Sequence, residues 1–467
     1  MHMGWMMTSG WIPYVDMYEI KPPGIFFTWA AVFTLTGQSI VVARIVMVIV
    51  ALSSSVIVYW ISLRFLPERW GVICAFSYLI SMSLPIFSSM KAMADPFVNL
   101  FGLCGILLFL LFLEKEKKAI LLIVGVVISI SALFKPTGLF YLFAILIYFL
   151  LGSIRTKDGH GSYRLRTVID YLMWIFIGYF IVLLPLILYY VHISHIYEFL
   201  YWSFTGIFSA RGPPDREWQI LFYPLANLLL IWILALITVI VEFYYYIRKR
   251  VYSKILLLCI ICPLFLVQFS ERQFPHYFIP VIGPSVILSF YFIYSHYNKI
   301  KGMFIFQGRS AARKTVTLIV IILLLILIPF QVFTLKTPIK NEMAKVDNNV
   351  EEKKLQEYIQ SKTSSDEPIL AFPYWGNVYF LCDRDPPDGY INHQLMTEDD
   401  ESKLIKTLET KPVNYVITIN GTESDFINKK NLNELWEHIE MHYFIEAKIG
   451  KYDIYRNNQS LAIKRTM

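Results

Sequence analysis

The chain has 467 residues, of which 56% are hydrophobic, 16% aromatic and only 16% charged, and its mean hydropathy is +0.52. Soluble domains carry about 25% charged residues, so this balance excludes a soluble globular enzyme, a disordered chain and a secreted disulfide scaffold. The 42 basic and 35 acidic residues leave a formal charge of +7; in a membrane protein that excess reflects Lys and Arg gathered in cytoplasmic loops, and no nucleic-acid partner is implied.

A spanning helix needs about 20 mostly apolar residues. The first apolar stretch, residues 25–36 (IFFTWAAVFTLT), is too short to span and too apolar for a solvated loop. It predicts an interfacial or re-entrant helix. Ten further stretches follow as spans: 39–63, 70–89, 97–113, 119–134, 136–152, 171–191, 219–247, 255–270, 277–296 and 316–335. The fourth and fifth are short and meet at Lys135-Pro136, so one broken element is an alternative. Cys259 and Cys262 have a CxxC spacing, but they lie inside an apolar run with no second pair. Packing inside a membrane helix is their reading, and no disulfide is predicted.

The loops between spans are not equally charged. One side holds 18 basic residues, from Arg64 and Arg69 through to Arg313 and Lys314; the other side, up to the last span, holds 6. The positive-inside rule makes the first set cytoplasmic. Residues 1–24, 90–96, the Lys135 turn, 192–218, 271–276 and everything beyond about 336 are then extracytoplasmic. The tail, 336–467, is polar and alternates helical and strand patterns. Helices are predicted at 349–362, 401–410 and 432–442, strands at 368–372, 378–382 and 413–419, and a hairpin at 444–455 turning on Gly450-Lys451. The chain thus reads as a transmembrane domain, 1–335, followed by a small α/β domain, 336–467.

Ionisable groups at a membrane boundary are costly and are functional candidates by default. The extracytoplasmic side gathers Asp16, Glu19 and Lys21 in the first segment, Asp95 before Pro96, Lys135 before Pro136, and Arg272 with His276 in the turn 271–277. A carboxylate can take a proton from an acceptor hydroxyl, and cations can hold a phosphate as its charge develops. Plainer roles stand beside these. Asp16 can cap a turn, Glu19 can be a surface acid, Lys21 and Lys135 can snorkel to the interface, and Asp95 can cap a helix.

Residues 10–24, with their G-x-x-P-Y-x-D and K-P-P-G elements, resemble the first external loop of the family 39-like, GT-C-fold glycosyltransferases. That group includes protein O-mannosyltransferases and lipid A aminoarabinose transferases. Weaker supporting pieces are Ala43-Arg44, Ala94-Asp95-Pro96, Phe134-Lys135-Pro136, Phe274–Phe278, Phe372–Gly376 and Val378–Leu381. The resemblance implies a polytopic α-helical GT-C fold with a small C-terminal α/β domain outside. It implies transfer of one sugar, with inversion, from a polyprenyl-phosphate donor to a protein, lipid or glycan acceptor. It also implies donor-phosphate contacts for Lys21, Arg272 and His276, with Lys135 beside them. Glu19 lies where some relatives place a ligand for a divalent metal. The family's likely base is an acidic residue upstream of G-x-x-P-Y, and that position falls before Met1. The expectation is therefore of a chain short of its first helix, with Asp16, and Asp95 beside it, as the catalytic carboxylates present. A lipid-sugar transporter and a catalytically inactive GT-C-like subunit remain open as other classes.

Overall fold

The structure is a computed structural model that describes residues 1–89, 91–154, 164–206, 218–267, 274–305, 346–372, 376–390, 396, 398–411, 413–419 and 433–458. These residues fold into two compact units, one within Ile40–Tyr189 and Pro213–Glu342, the other within Met1–Ser39, Tyr190–Gly212 and Met343–Met467. In chain order the helices begin with α1 (His2–Thr8), α2 (Gly24–Thr36), α3 (Ile40–Ser62), α4 (Glu68–Met82), α5 (Asp95–Lys115), α6 (Lys118–Phe134), α7 (Leu139–Ile154), α8 (Leu165–His192) and α9 (Ile196–Leu200). They continue with α10 (Trp218–Asn227), α11 (Leu229–Lys249), α12 (Leu256–Leu266), α13 (Ile279–Ile305), α14 (Val346–Lys362), α15 (Gly376–Cys382), α16 (Glu398–Thr410) and α17 (Asn433–His442).

The unit starting at Ile40 is wholly helical among its described residues. Its packing shows what solvent it was built for. Along α8 only 11% of the apolar window is buried, and Met173, Phe176, Phe180, Leu184 and Leu188 are exposed. An apolar face of that size is untenable in water and natural against lipid. Inward faces carry small groups that bring backbones together. A Cβ at Gly125 of α6 would lie 1.9 Å from the Ile175 carbonyl oxygen, and one at Gly178 of α8 would lie 1.9 Å from that of Leu122. Glycine at both positions lets the two helices touch backbone to backbone, as small residues do between membrane helices.

Six described helical segments are long and apolar enough to cross a membrane: Ile40–Ser62, Asp95–Lys115, Pro136–Ser153, Leu165–His192, Leu229–Lys249 and Pro275–His296. Lys118–Phe134 and Leu256–Leu266 are apolar but shorter, and the stretch at 70–89 forms the 15-residue helix α4 followed by a 3-10 turn, Pro85–Phe87. The span predicted at 316–335 lies outside the described residues. The stretch at 219–247 is not one helix. It breaks at Leu228, whose φ of −123° is non-helical. The Pro224 carbonyl inside α10 accepts a hydrogen bond from the Trp232 indole, 3.1 Å away on α11. Hydropathy is continuous across the break and hides it.

The other unit holds α1, α2, α9, a π-helical turn at Tyr201–Thr205 and the C-terminal elements. Strands β1 (Leu370–Ala371), β2 (Tyr415–Ile419), β3 (Tyr443–Ile449) and β4 (Tyr452–Asn457) form one sheet of order β1-β2-β4-β3. β1 runs parallel to β2, and the remaining pairs are antiparallel. The hairpin turns at Gly450, whose φ of +57° suits glycine. All five residues of β2 are buried, which explains its continuous β-branched run. The strand predicted at 378–382 is instead the helix α15. Val378, Tyr379, Phe380 and Cys382 are all buried there, and a short run apolar on every side carries no period to separate helix from strand. The N-terminal residues pack on this helix: Trp5 Nε1 donates to Asp383 Oδ1 at 3.0 Å, Gln38 Nε2 to the Phe380 carbonyl at 2.6 Å, and Phe33 meets the Phe380 ring at 5.3 Å.

Candidate active site

Three residues far apart in sequence meet in the unit that begins at Ile40. Asp95 is the first residue of α5 and is only 4% exposed. The helix-cap position belongs to Ala94, and the Asp95 side chain makes no cap. Its Oδ1 lies 2.8 Å from Lys135 Nζ and its Oδ2 3.8 Å from His276 Nε2. Lys135 follows the end of α6 and precedes Pro136, which disfavours helical backbone at the preceding residue; its φ of −163° is extended. His276 sits in the 3-10 turn Pro275–Phe278, its ring stacked on Phe274 at 5.3 Å and edge-on to Tyr277 at 4.9 Å. Lys135 Nζ also lies 4.0 Å from the Tyr277 ring centroid, within range of a cation–π contact. A carboxylate buried this deeply requires charged partners, and each of its oxygens faces a nitrogen that can carry a positive charge.

The first loop is built on a different plan. Tyr14 is fully buried with a φ of +67°, an uncommon backbone state for a bulky residue. Its ring packs on Phe26, Tyr190 and Phe199, at 5.8–6.3 Å. Its hydroxyl donates to the Lys21 carbonyl at 2.5 Å, and the Tyr190 hydroxyl donates to the Pro13 carbonyl at 3.2 Å. Asp16 is exposed, and its Oδ2 accepts the Ile12 N–H at 2.7 Å, so it does cap the turn. Glu19 Oε2 pairs with Lys21 Nζ at 3.3 Å, while Oε1 accepts the Ile20 N–H at 3.0 Å. Half of the Lys21 side chain is exposed.

The structure therefore gathers Asp95, Lys135 and His276 into one cluster, and Asp16, Glu19 and Lys21 into one loop. Arg272 lies outside the described residues. No group of three or more His, Cys, Asp or Glu side chains is placed to hold a metal ion among the described residues. Residues not singled out in sequence also matter. Tyr277 and Tyr14 sit inside quoted motifs, but nothing in a motif marks a ring that faces a cation or a hydroxyl that reaches a carbonyl. Tyr390 is a third: its ring lies 4.8 Å from Tyr18, and the Tyr18 N–H donates to the neighbouring Gly389 carbonyl at 3.0 Å.

Known proteins resemble this chain in one sequence segment and in its whole fold. Residues 20–189 match the dolichyl-phosphate-mannose-protein mannosyltransferase family, a segment that carries Lys21, Asp95 and Lys135. The fold is the GT-C fold of ArnT and AglB. The whole fold agrees. ArnT from Cupriavidus metallidurans, solved with undecaprenyl phosphate, superposes with a TM-score of 0.63 at 13% identity, over 98% of this chain and 92% of that one. The Archaeoglobus fulgidus oligosaccharyltransferase AglB, solved with an inhibitory peptide and a dolichol-phosphate, gives 0.54 at 13% identity, over 98% of this chain and 70% of that one. A structure of the Archaeoglobus fulgidus oligosaccharyltransferase with Zn and sulfate gives 0.51 at 14% identity, over 96% and 66%. No curated protein sequence matches the GT-C chain described here.

Proposed function

We propose that this GT-C chain moves a single sugar from a polyprenyl-phosphate donor to an acceptor hydroxyl on the extracytoplasmic face of the membrane, with inversion at the anomeric carbon. The observation that carries the reading is the Asp95–Lys135–His276 cluster in a protein of GT-C fold. Lys135 and His276 are held by a buried carboxylate before any ligand arrives, and preorganised cations stabilise charge without reorganising during reaction. The donor types bound by structural neighbours, undecaprenyl phosphate and a dolichol-phosphate, agree with such a leaving group. Protein is the acceptor class suggested by the mannosyltransferase family and by the peptide-bound neighbour, with lipid or glycan as the other acceptors.

In this reading the acceptor oxygen attacks C1 of the sugar as the C1–O bond to phosphate breaks. The bond's electron pair leaves with the lipid phosphate, whose charge falls to Lys135 and His276, with Arg272 in the same role. Lys21 keeps the phosphate contact that the family resemblance gives it. Asp95 already faces two nitrogens, so it positions them; the acceptor's proton goes to an exposed carboxylate, and Asp16 in the first loop takes that role. Glu19 is engaged by Lys21 and by the backbone, and the described residues do not assemble an ion site around it. The sheet domain, with the segment beyond residue 336, takes the extracytoplasmic side and shapes acceptor binding.

The test is direct. The purified protein in liposomes is mixed with polyprenyl-phosphate sugars labelled in the sugar, and transfer to peptide, lipid or glycan acceptors is followed with the anomeric configuration of the product. Transfer with inversion supports the reading. Binding of labelled donor without transfer supports an inactive subunit, and passage of donor across the bilayer without transfer supports a transporter.

A further inference from the structure

The loop that carries Asp16, Glu19 and Lys21 has a second anchor, and it comes from the C-terminal domain of its own unit. We propose that Asp388, Gly389 and Tyr390 are positioning residues for this loop, so that the sheet domain sets where the loop's charged side chains stand. The inference rests on the transferase reading above for the importance of that loop, but its geometry does not depend on it.

The contact is made at backbone level. Tyr18 N–H donates to the Gly389 carbonyl at 3.0 Å, and Tyr18 pairs with Tyr390 as an isolated parallel bridge. A short strand-like contact of this kind fixes the loop's register against the domain. The Tyr18 ring lies 4.8 Å from Tyr390 and 5.5 Å from Trp202, and all three lean on the apolar core of the sheet domain. Gly389 has no room for a side chain. A Cβ there would stand 2.4 Å from the Asp16 carbonyl oxygen and 2.9 Å from the Tyr18 ring. Asp388 closes the turn by accepting the Tyr390 N–H at 3.1 Å. Asp16 is thus pinned on Ile12 through both its carboxylate and its N–H, which donates to the Ile12 carbonyl at 2.9 Å, and its own carbonyl lies close against Gly389.

A plain docking role does not account for this. The Trp5–Asp383 and Gln38–Phe380 hydrogen bonds already tie the N-terminal residues to the domain, and they lie outside residues 10–24. The contact at 388–390 adds little to that attachment. What it adds is a fixed path for Asp16 through Tyr18, with Lys21 three residues beyond. A shift of about 1 Å in a reacting group can cost on the order of 100-fold in rate.

The experiment uses the full-length protein and the variants Gly389→Ala, Tyr390→Ala, Tyr18→Ala, the double alanine variant and Tyr390→Phe. Transfer kinetics and hydrogen exchange over residues 10–24 are read on folded material. The single alanine variants are expected to lower kcat/KM about 10- to 100-fold; Tyr390→Ala, which empties part of the apolar core, and Gly389→Ala also lower the melting temperature, whereas Tyr18→Ala changes it least. The double variant is expected to be no worse than the poorer single one, and Tyr390→Phe, which keeps the ring, to stay within a few-fold of wild type. Losses that multiply in the double variant, or unchanged kcat/KM in all of them, overturn the proposal. A wild-type protein without transfer activity counts against the functional reading alone. Exchange then decides: faster exchange confined to residues 10–24 in Gly389→Ala supports positioning, and unchanged exchange removes it.

Discussion

The two groups of candidate residues are held by opposite means. In the Asp95 cluster the charges themselves are the structure: a buried carboxylate fixes Lys135 and His276, and Tyr277 lies under the ammonium. In the first loop the backbone is fixed, by Tyr14 from within and by Gly389 from the sheet domain, while Asp16 and Lys21 reach solvent. The first plan suits a task in which charge must wait in one place; the second suits groups that must meet something arriving from outside. Changing a charge should therefore damage folding in the cluster and leave folding intact in the loop.

The largest effect is expected from Asp95→Ala. It leaves the Lys135 ammonium beside His276 without its counter-charge, and breaking a buried pair from one side costs about 3–5 kcal/mol, so both melting temperature and transfer should collapse. Next comes Lys21→Met. Its side chain is half exposed, so thermal stability should stay within about 0.5 kcal/mol while transfer falls on the order of 100-fold. If this variant unfolds as readily as Asp95→Ala, the contrast between the two regions is wrong. Tyr14→Phe removes one hydrogen bond to the Lys21 carbonyl and should cost about 1 kcal/mol, with a rise of a few-fold in KM for the donor.

A separate effect concerns pH. Burial pushes Asp388 up to about 7, with the nearby Asp400 adding to the rise. Since the folded value lies above the unfolded one, the folded protein holds this proton more tightly. Its contribution to stability is complete below about pH 4 and is lost as the pH rises through 7. Melting curves of the wild type from pH 5 to 8 should show that loss, and Asp388→Asn should flatten this component.

Much of the helical unit could be read from hydropathy, because lipid leaves the chain few ways to satisfy its backbone. The helices at 40–62, 95–115 and 165–192 fall close to the stretches predicted for them. The sheet domain was legible where side chains repeat with a period: β2, the hairpin turn at Gly450 and α17 stand where expected. Residues 378–382 were misread because four of the five positions are buried and too little of a period remains. Asp95, Lys135 and His276 could each be singled out, since charge is rare near a membrane. Their meeting could not, because Lys135 is 40 residues from Asp95 in sequence and only the packing of α5 against α6 brings them together. Gly389 was invisible for a related reason: an Asp-Gly pair signals a turn and says nothing of what that turn presses on.

The reciprocal glycines of α6 and α8 also bear on the bilayer that this protein can inhabit. With Gly125 set against the Ile175 carbonyl and Gly178 against that of Leu122, α6 cannot slide along its neighbour by a residue without driving a carbonyl oxygen into a carbon. Its 17 residues span roughly 26 Å at about 1.5 Å per residue, less than a typical hydrocarbon core of about 30 Å. A helix locked at that depth cannot make up the difference by moving, so the lipid beside it must thin, or Lys118 and Lys135 must reach outward from its two ends. Lys135 is already committed to Asp95, which leaves membrane thickness coupled to the geometry of the charge cluster.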